Sequence, residues 1–343
     1  MPHQAEPLWN QPEFLEQASS WIYDVLAQEG IKVSGAIVQA HVRPWSTVLR
    51  MPTGVGDVYF KACTPALGHE ASVTQALYSW RPDCIPQVLR IDAAQGWMLM
   101  ADGGPSLRHA FGNGLDRRSW AEILALYASL QIDLAGHVDK LLQLGAPDRR
   151  LLLLPDLYQQ LLADEDWLLI DQPYGLTRFE YQRLIDAAPQ VMNLCQRLAA
   201  YAIPMSLHHN DLHDGNIFSA DGRTLFFDWG DSSIAHPFFS LRTVFVSIEH
   251  TFNVDEEDPF FDKLAHTYLQ PWTAYSSLAN VEAAFKLAQR LWSLSSAVKY
   301  KTLLSQLDSI RDEYAGAVPS LLQEFLQANL IPPEYSWRQL PSA

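Results

Sequence analysis

The side chains best able to do chemistry are concentrated in His208-His-Asn-Asp-Leu-His-Asp-Gly-Asn216 and, a little further on, Phe226-Phe-Asp-Trp-Gly-Asp231. Asp211 and Asn216 lie five residues apart, and Asp228 follows twelve later, directly after the apolar Leu225-Phe-Phe227. This matches the H-x-D-L-x-x-x-N spacing of a phosphoryl-transfer loop followed by a metal-binding Asp at a strand end. The residue types suit that chemistry. A hydroxyl nucleophile needs a carboxylate to orient it and take its proton, while Mg²⁺ on a nucleoside triphosphate needs hard oxygen ligands. Asp211 is therefore the expected catalytic residue, and Asn216 and Asp228 the expected metal ligands. An ordinary polar turn also uses Asp and Asn, and either segment alone fits that reading; the two together, with a lysine upstream, favour catalysis. A metal hydrolase is the sharper alternative, because His208, His209, Asp211, His213 and Asp214 crowd seven positions. However, these residues lack helical i,i+4 zinc spacing, and no distant Cys or His completes a ligand set.

The upstream lysine is Lys61, which closes the hydrophobic run Val58-Tyr-Phe. It is placed like the lysine of the V-A-I-K strand, which contacts nucleotide phosphates and pairs with a helix glutamate. Glu70, nine residues on and near the start of the next predicted helix, is its expected partner. A lysine on an edge strand is often a solvated gatekeeper, and a helix start attracts Glu for dipole reasons alone; the downstream loop favours the nucleotide role. Gly54-Val-Gly56 comes too soon before Lys61 to cover phosphates and reads as a turn between strands. The phosphate-covering loop is expected around His41 to Ser46, with Ser46 and its N–H at a phosphate. No G-x-x-x-x-G-K-[ST] occurs, which excludes P-loop NTPases.

The elements that must hold these residues change character along the chain. A helix is predicted over 12–30, with Pro12 in its first turn and Gly30 as its cap. Strands are predicted over 31–42, 46–51 and 57–62, then a helix over 69–80 and strands over 87–91 and 97–101. Asp102-Gly-Gly-Pro-Ser106 breaks any element and marks a boundary. Beyond it, helical periodicity covers about 116–144, 177–201, 260–275, 281–304 and 320–330, interrupted by the 205–231 island with an Asp221-Gly222 turn. The expected organisation is α+β: a small antiparallel-sheet lobe over 1–102 and a larger, mainly helical lobe over 103–343 that carries the catalytic loop.

Composition narrows the partners. The chain has 343 residues, 48% hydrophobic, with net charge −15, a balance that repels phosphodiester backbones and anionic lipid surfaces and attracts cations. Neither nucleic acid nor a membrane is expected as a partner. The three cysteines show no C-x-x-C spacing, the N-terminus lacks a secretory pattern, and no apolar run is long enough to span a bilayer. A cytoplasmic location is expected.

Taken together, the Lys61 strand, Trp97-Met-Leu-Met-Ala-Asp-Gly-Gly104, Leu126-Tyr-Ala-Ser-Leu-Gln131 and the 209–231 segment resemble the aminoglycoside phosphotransferase and choline kinase-like family. The resemblance implies a two-lobed, protein-kinase-like fold and Mg²⁺-dependent transfer from ATP or GTP to a hydroxyl of a small molecule, such as an amino sugar, an aminoglycoside or a choline-like amine. It implies that Lys61 holds the α/β-phosphates, that Asp211 is catalytic, and that Asn216 and Asp228 bind Mg²⁺. The backbone of Met100 to Asp102 would meet the adenine, and His209 would support the loop. Two positions depart from the pattern. Asn210 stands where protein kinases usually have Arg, and Ser240 stands where related sequences often have an Asp that braces the loop. The second departure keeps a non-catalytic nucleotide-binding protein in view as an alternative. For the acceptor, Asp231 is the leading candidate among acidic residues that also include Glu249 and the 255–258 run, although a solvated acidic loop is the plainer reading of the latter.

Overall fold

The computed structural model describes residues 8–330 except 113, 115, 221, 256, 308 and 309. Asp221 of the expected turn and Glu256 of the acidic run thus lie outside the described residues. The described residues form two compact units, one drawn from 8–110, 215–230 and 305–312, the other from 111–214, 231–304 and 313–330. The segment carrying Asn216 and Asp228 groups with the sheet in the first of these units.

The first unit opens with helix α1 (Pro12–Gln28), which begins at the predicted proline and buries Phe14, Ala18, Ile22, Val25 and Leu26 along one side. Five strands follow, β1 (Val38–Arg43), β2 (Ser46–Thr53), β3 (Gly56–Cys63), β4 (Val88–Asp92) and β5 (Trp97–Ala101), with helix α2 (Glu70–Trp80) between β3 and β4. They form one antiparallel sheet in the order β1-β2-β3-β5-β4. Thr53 pairs with Gly56, so Gly54 and Val55 are the two-residue turn of a hairpin. The strand expected from residue 31 starts only at 38, because Val33 makes a single bridge to Thr53 and Ser34 N–H bonds to the Pro52 carbonyl, which docks 31–35 as a loop.

Strand pleating sorts the sheet's two faces. Leu49, Met51, Val58, Phe60, Ala62, Trp97 and Leu99 join α1 in one core, where Trp21, Phe60 and Trp97 meet edge to face at 5.4–5.9 Å. Each such side chain contributes about 1.5–3 kcal/mol by leaving water. On the other face, Met98 and Met100 pack with Ala71, Val88 and Phe227. Lys61, flanked on β3 by the core residues Phe60 and Ala62, belongs to this second face.

The second unit is mainly helical. Helix α3 (Leu107–Phe111) leads into α4 (Arg117–Leu134), whose Asp116 N-cap accepts from the Arg118 and Ser119 amides, and then into α5 (Val138–Gln143) and α6 (Leu154–Ala163). Helix α7 (Arg178–Asp186) starts with a Thr177/Glu180 capping box and α8 (Ala188–Ala199) with a proline in its first turn. The expected single helix over 177–201 is thus two, since Pro189 has no N–H to continue the ladder. A small ribbon follows, β6 (Ser206–His208) paired with β9 (Ser233–Ala235); between them in sequence, β7 (Ile217–Ala220) pairs with β8 (Arg223–Phe226) in the 215–230 segment of the first unit. Helices α9 (Ser240–Phe252), α10 (Pro259–Leu269), α11 (Leu278–Leu304) and α12 (Ala317–Leu330) complete the fold. Cys63, Cys84 and Cys195 are buried thiols outside any disulfide, and no described helix is long and apolar enough to cross a membrane.

Candidate active site

In the first unit, Lys61 is the centre of a buried charge cluster. Its Nζ lies 2.7 Å from Glu70 Oε1 and 2.7 Å from Asp228 Oδ1, with Lys61 8% and Glu70 1% exposed. Burial alone would lower the lysine's pKa, yet Asp228 and Glu70 outweigh it and hold the ammonium well above its ordinary range. Burial raises Glu70 above the usual carboxylate value, against the pull of Lys61. Glu70 is the first residue of α2, but its ion pair, rather than the helix dipole, accounts for a buried carboxylate. Cys63, on the same face of β3, also reaches it, with Sγ 2.9 Å from Glu70 Oε2.

Asp228 and Asn216 come together through the β7–β8 ribbon. Ile217 pairs with Phe226, and one step outward Phe227 N–H donates to the Asn216 carbonyl at 2.9 Å. Asp228 follows in the left-handed region, φ 63°, a conformation that Asp tolerates better than most residues and that turns its side chain out of the strand. Gly103 fixes the place of Phe227: a Cβ there would stand 2.3 Å from the ring. The hinge-like segment is therefore built against the residue preceding Asp228. Met100 shares the cluster with Phe227, and Asp102 N–H bonds to the Asp57 carbonyl while its Oδ1 accepts from Gly104 N–H. Ser46 begins β2, buried and opposite Cys63.

The donor set at this end of the ribbon suits Mg²⁺. Asn216 offers an amide oxygen, and the Asp228 side chain, 48% exposed, commits Oδ1 to Lys61 and keeps Oδ2 for a cation. Two hard protein oxygens are what Mg²⁺ uses when waters and phosphates complete its octahedron. Among the described residues, no three His, Cys, Asp or Glu side chains stand together as a metal site. The crowded imidazoles instead serve the loop itself: His208 Nδ1 lies 2.8 Å from Ser240 Oγ, and His209 Nδ1 accepts from the Asp211 amide at 3.3 Å.

In the second unit, Asp211 follows Asn210, which sits at φ 65° and donates through Nδ2 to the Asp231 carbonyl and Ser233 Oγ, both at 2.9 Å. Its amide side chain thus fixes the backbone just before Asp211. His213 Nε2 is 3.5 Å from Asp211 Oδ2, and its Nδ1 3.7 Å from the buried Asp214. Burial would raise Asp211, but His213, then Lys299 and His209, keep it below the usual carboxylate value, so it stands ionised at neutral pH.

Two features here were not foreseen. Lys299, on α11, is buried and places Nζ 3.2 Å from Asp231 Oδ2 and 3.5 Å from the Asn210 carbonyl, the oxygen of the peptide joining Asn210 to Asp211. Asp231, offered above for the acceptor, is thus engaged by a lysine, with the buried Arg149 also acting on it electrostatically. Ser240 is the second. Its Oγ meets His208 Nδ1, Tyr127 Oη at 3.1 Å and Gln131 Nε2 at 3.2 Å, while Gln131 Nε2 also donates to the Leu207 carbonyl and His209 N–H donates to Tyr127 Oη. A neutral network braces the loop where a carboxylate was expected. Ser240 was marked only as a departure from the pattern, and nothing in the sequence around Lys299 marked it.

A five-stranded sheet bearing a buried Lys–Glu pair, together with a mainly helical unit bearing the His209–Asp211 loop, defines the protein-kinase-like fold. A family model for the phosphotransferase enzyme family matches residues 85–279, and the chain belongs to that family. Among solved structures it is similar to choline kinase LicA from Streptococcus pneumoniae, with 13% identity and TM-score 0.57 over 90% of this chain and 99% of that one. An aminoglycoside 2′-phosphotransferase in complex with GDP shows 14% identity and TM-score 0.57, covering 91% and 98%. Ethanolamine kinase from Plasmodium vivax shows 10% identity and TM-score 0.58, covering 94% and 90%. At these identities the likeness is one of fold. No curated protein sequence matches this chain.

Proposed function

We propose that this phosphotransferase moves the γ-phosphoryl group of ATP or GTP to a hydroxyl of a small molecule. The observation that carries the reading is Lys61 held between Glu70 and Asp228 at 2.7 Å each, an ammonium fixed for phosphate oxygens beside a half-exposed carboxylate. Lys61 would bind the α/β-phosphates, and the backbone of Met100 to Asp102 would meet the base, with Ser46 at the turn expected to cover the phosphates. Asn216 and Asp228 would hold Mg²⁺, whose chemistry is to offset phosphate charge during transfer. Asp211 would accept a hydrogen bond from the acceptor hydroxyl and take its proton as the new P–O bond forms and the bond from γ-phosphorus to the nucleotide diphosphate breaks. Its lowered pKa keeps it ready to accept.

The test is nucleotide consumption across amino sugars, aminoglycosides, macrolides, choline-like amines and amino alcohols. With an acceptor found, Asp211→Asn should lower turnover by about 10²- to 10⁴-fold, the span of general acid–base help, with MgATP affinity nearly unchanged. Equal losses of affinity and turnover would assign Asp211 to metal or structure, and an unaltered rate would remove it from the mechanism.

A further inference from the structure

The Lys61–Glu70 pair has a third member that phosphate binding does not itself require. Cys63 lies two residues beyond Lys61 on β3, so the pleat sends both side chains to one face, and both are buried. Lys61 Nζ serves Glu70 Oε1 at 2.7 Å while Cys63 Sγ lies 2.9 Å from Oε2. One strand thus supplies a separate donor to each carboxylate oxygen. Gly230 closes the socket, since a Cβ there would stand 3.1 Å from Glu70 Oε2 and 3.5 Å from Leu67 Cδ1. The residues around Oε2 therefore leave the thiol as its hydrogen-bond donor from β3.

A buried cysteine usually acts as a small apolar residue, and the geometry here asks for more. The last torsion of Glu is broad and roughly two-fold, so a single donor at Oε1 would leave the carboxylate free to rock. Rocking would move Oε1 away from Lys61 and let the ammonium drift toward Asp228, its other partner. We propose that Cys63 is a positioning residue whose thiol donates to Glu70 Oε2, locks the carboxylate plane and so holds Lys61 where nucleotide phosphates meet it. The inference rests on the phosphotransferase reading above. Burial, with Glu70 beside it, pushes the thiol well above its ordinary pKa, which keeps it protonated and a donor.

Calorimetric titration of the full chain with MgATP, MgGTP and adenosine, comparing the wild type with Cys63→Ala and Cys63→Ser, tests this. Cys63→Ala should weaken Mg-nucleotide binding about 3- to 10-fold, the net effect of a typical hydrogen bond, and leave adenosine binding unchanged because Lys61 serves only phosphates. Cys63→Ser should restore affinity to within about twofold, since a hydroxyl donates to the same oxygen. Without nucleotide, the infrared S–H stretch that disappears in Cys63→Ser should lie on the low-frequency, strongly hydrogen-bonded side of the thiol band. The inference is overturned if Cys63→Ala binds like the wild type, if Cys63→Ser is as weak as Cys63→Ala, if adenosine weakens equally, or if that S–H band is that of a free thiol. A wild type that binds neither nucleotide would instead sink the phosphotransferase reading, whereas a wild type that binds beside an unaffected Cys63→Ala sinks the inference alone.

Discussion

Mild acid should loosen the platform under the His209–Asp211 loop, and His236 sets how much. It follows β9, whose Ser233 pairs with His208 of β6, and it is 1% exposed between the rings of Phe238 and Phe239. Its Nδ1 accepts from the Phe238 amide at 3.3 Å, which requires a neutral imidazole. Burial lowers its pKa from 6.5 to about 3. Between those values the unfolded chain binds the proton and the folded chain does not. The stability contribution is therefore complete above pH 6.5 and is lost as pH falls toward 3. At pH 5 the loss is 1.5 pH units at about 1.36 kcal/mol each, or about 2 kcal/mol from this residue. His208 adds in the same direction, being held well below its ordinary value by burial and then by Lys299, His209 and Arg149. Thermal unfolding at pH 7.5 and 5.0 and matched ionic strength, on the wild type and His236→Asn, measures the effect; Asn offers an acceptor oxygen and does not titrate. The variant should lose about 2 kcal/mol less on acidification, a difference of a few degrees in Tm. Equal losses in the two proteins would refute the reasoning.

Asp228→Ala should abolish Mg²⁺-dependent nucleotide binding while leaving a folded protein, because the lost carboxylate is half exposed; unchanged Mg²⁺-dependent binding in titration calorimetry would refute the metal assignment. Lys299→Met should cost about 3 kcal/mol of stability, the lower end for breaking a buried pair, since Asp231 keeps some contact with water. Adding Asp231→Asn should recover most of it in a double-mutant cycle of thermal unfolding. A loss under about 1 kcal/mol in the single variant would show the pair to be of the weak, solvent-screened kind.

Where a residue's role is set by its immediate neighbours in sequence, it could be read without coordinates. Pro12 starts α1 where predicted, the β2–β3 turn falls on Gly54-Val55, and Lys61 lies on a strand whose alternate residues fill the α1 core. Glu70 could be paired with Lys61 because only a short connection separates β3 from α2. Elements held together by distant partners could not be read. Strands β6 and β9 are three residues each, partly polar and fully buried, so neither alternation nor length marks them. Helix α9 is rich in Thr, Val, Phe and Ile, which carries a strand's composition on a helix's spacing. Lys299 looks like one charge on a long helix until α11 brings it against Asp231, 68 positions earlier.

Ser240 shows what local reading misses about chemistry as well as position. A carboxylate at 240 would face Nδ1 of a buried histidine and draw it toward the imidazolium form, adding two charges beneath the loop that carries Asp211. A serine hydroxyl satisfies the same atoms without charge: Gln131 Nε2 donates into Ser240 Oγ, and the Ser240 O–H can donate onward to a bare His208 Nδ1 at 2.8 Å. That arrangement agrees with the strongly lowered His208 pKa. Fixed charge is then carried on the other side of the loop, where Lys299 neutralises Asp231 and also reaches the carbonyl preceding Asp211. The missing Asp and the unforeseen lysine are thus two parts of one solution, a loop braced by neutral hydrogen bonds through Ser240 and by the buried Lys299–Asp231 pair, which suits the role proposed for Asp211.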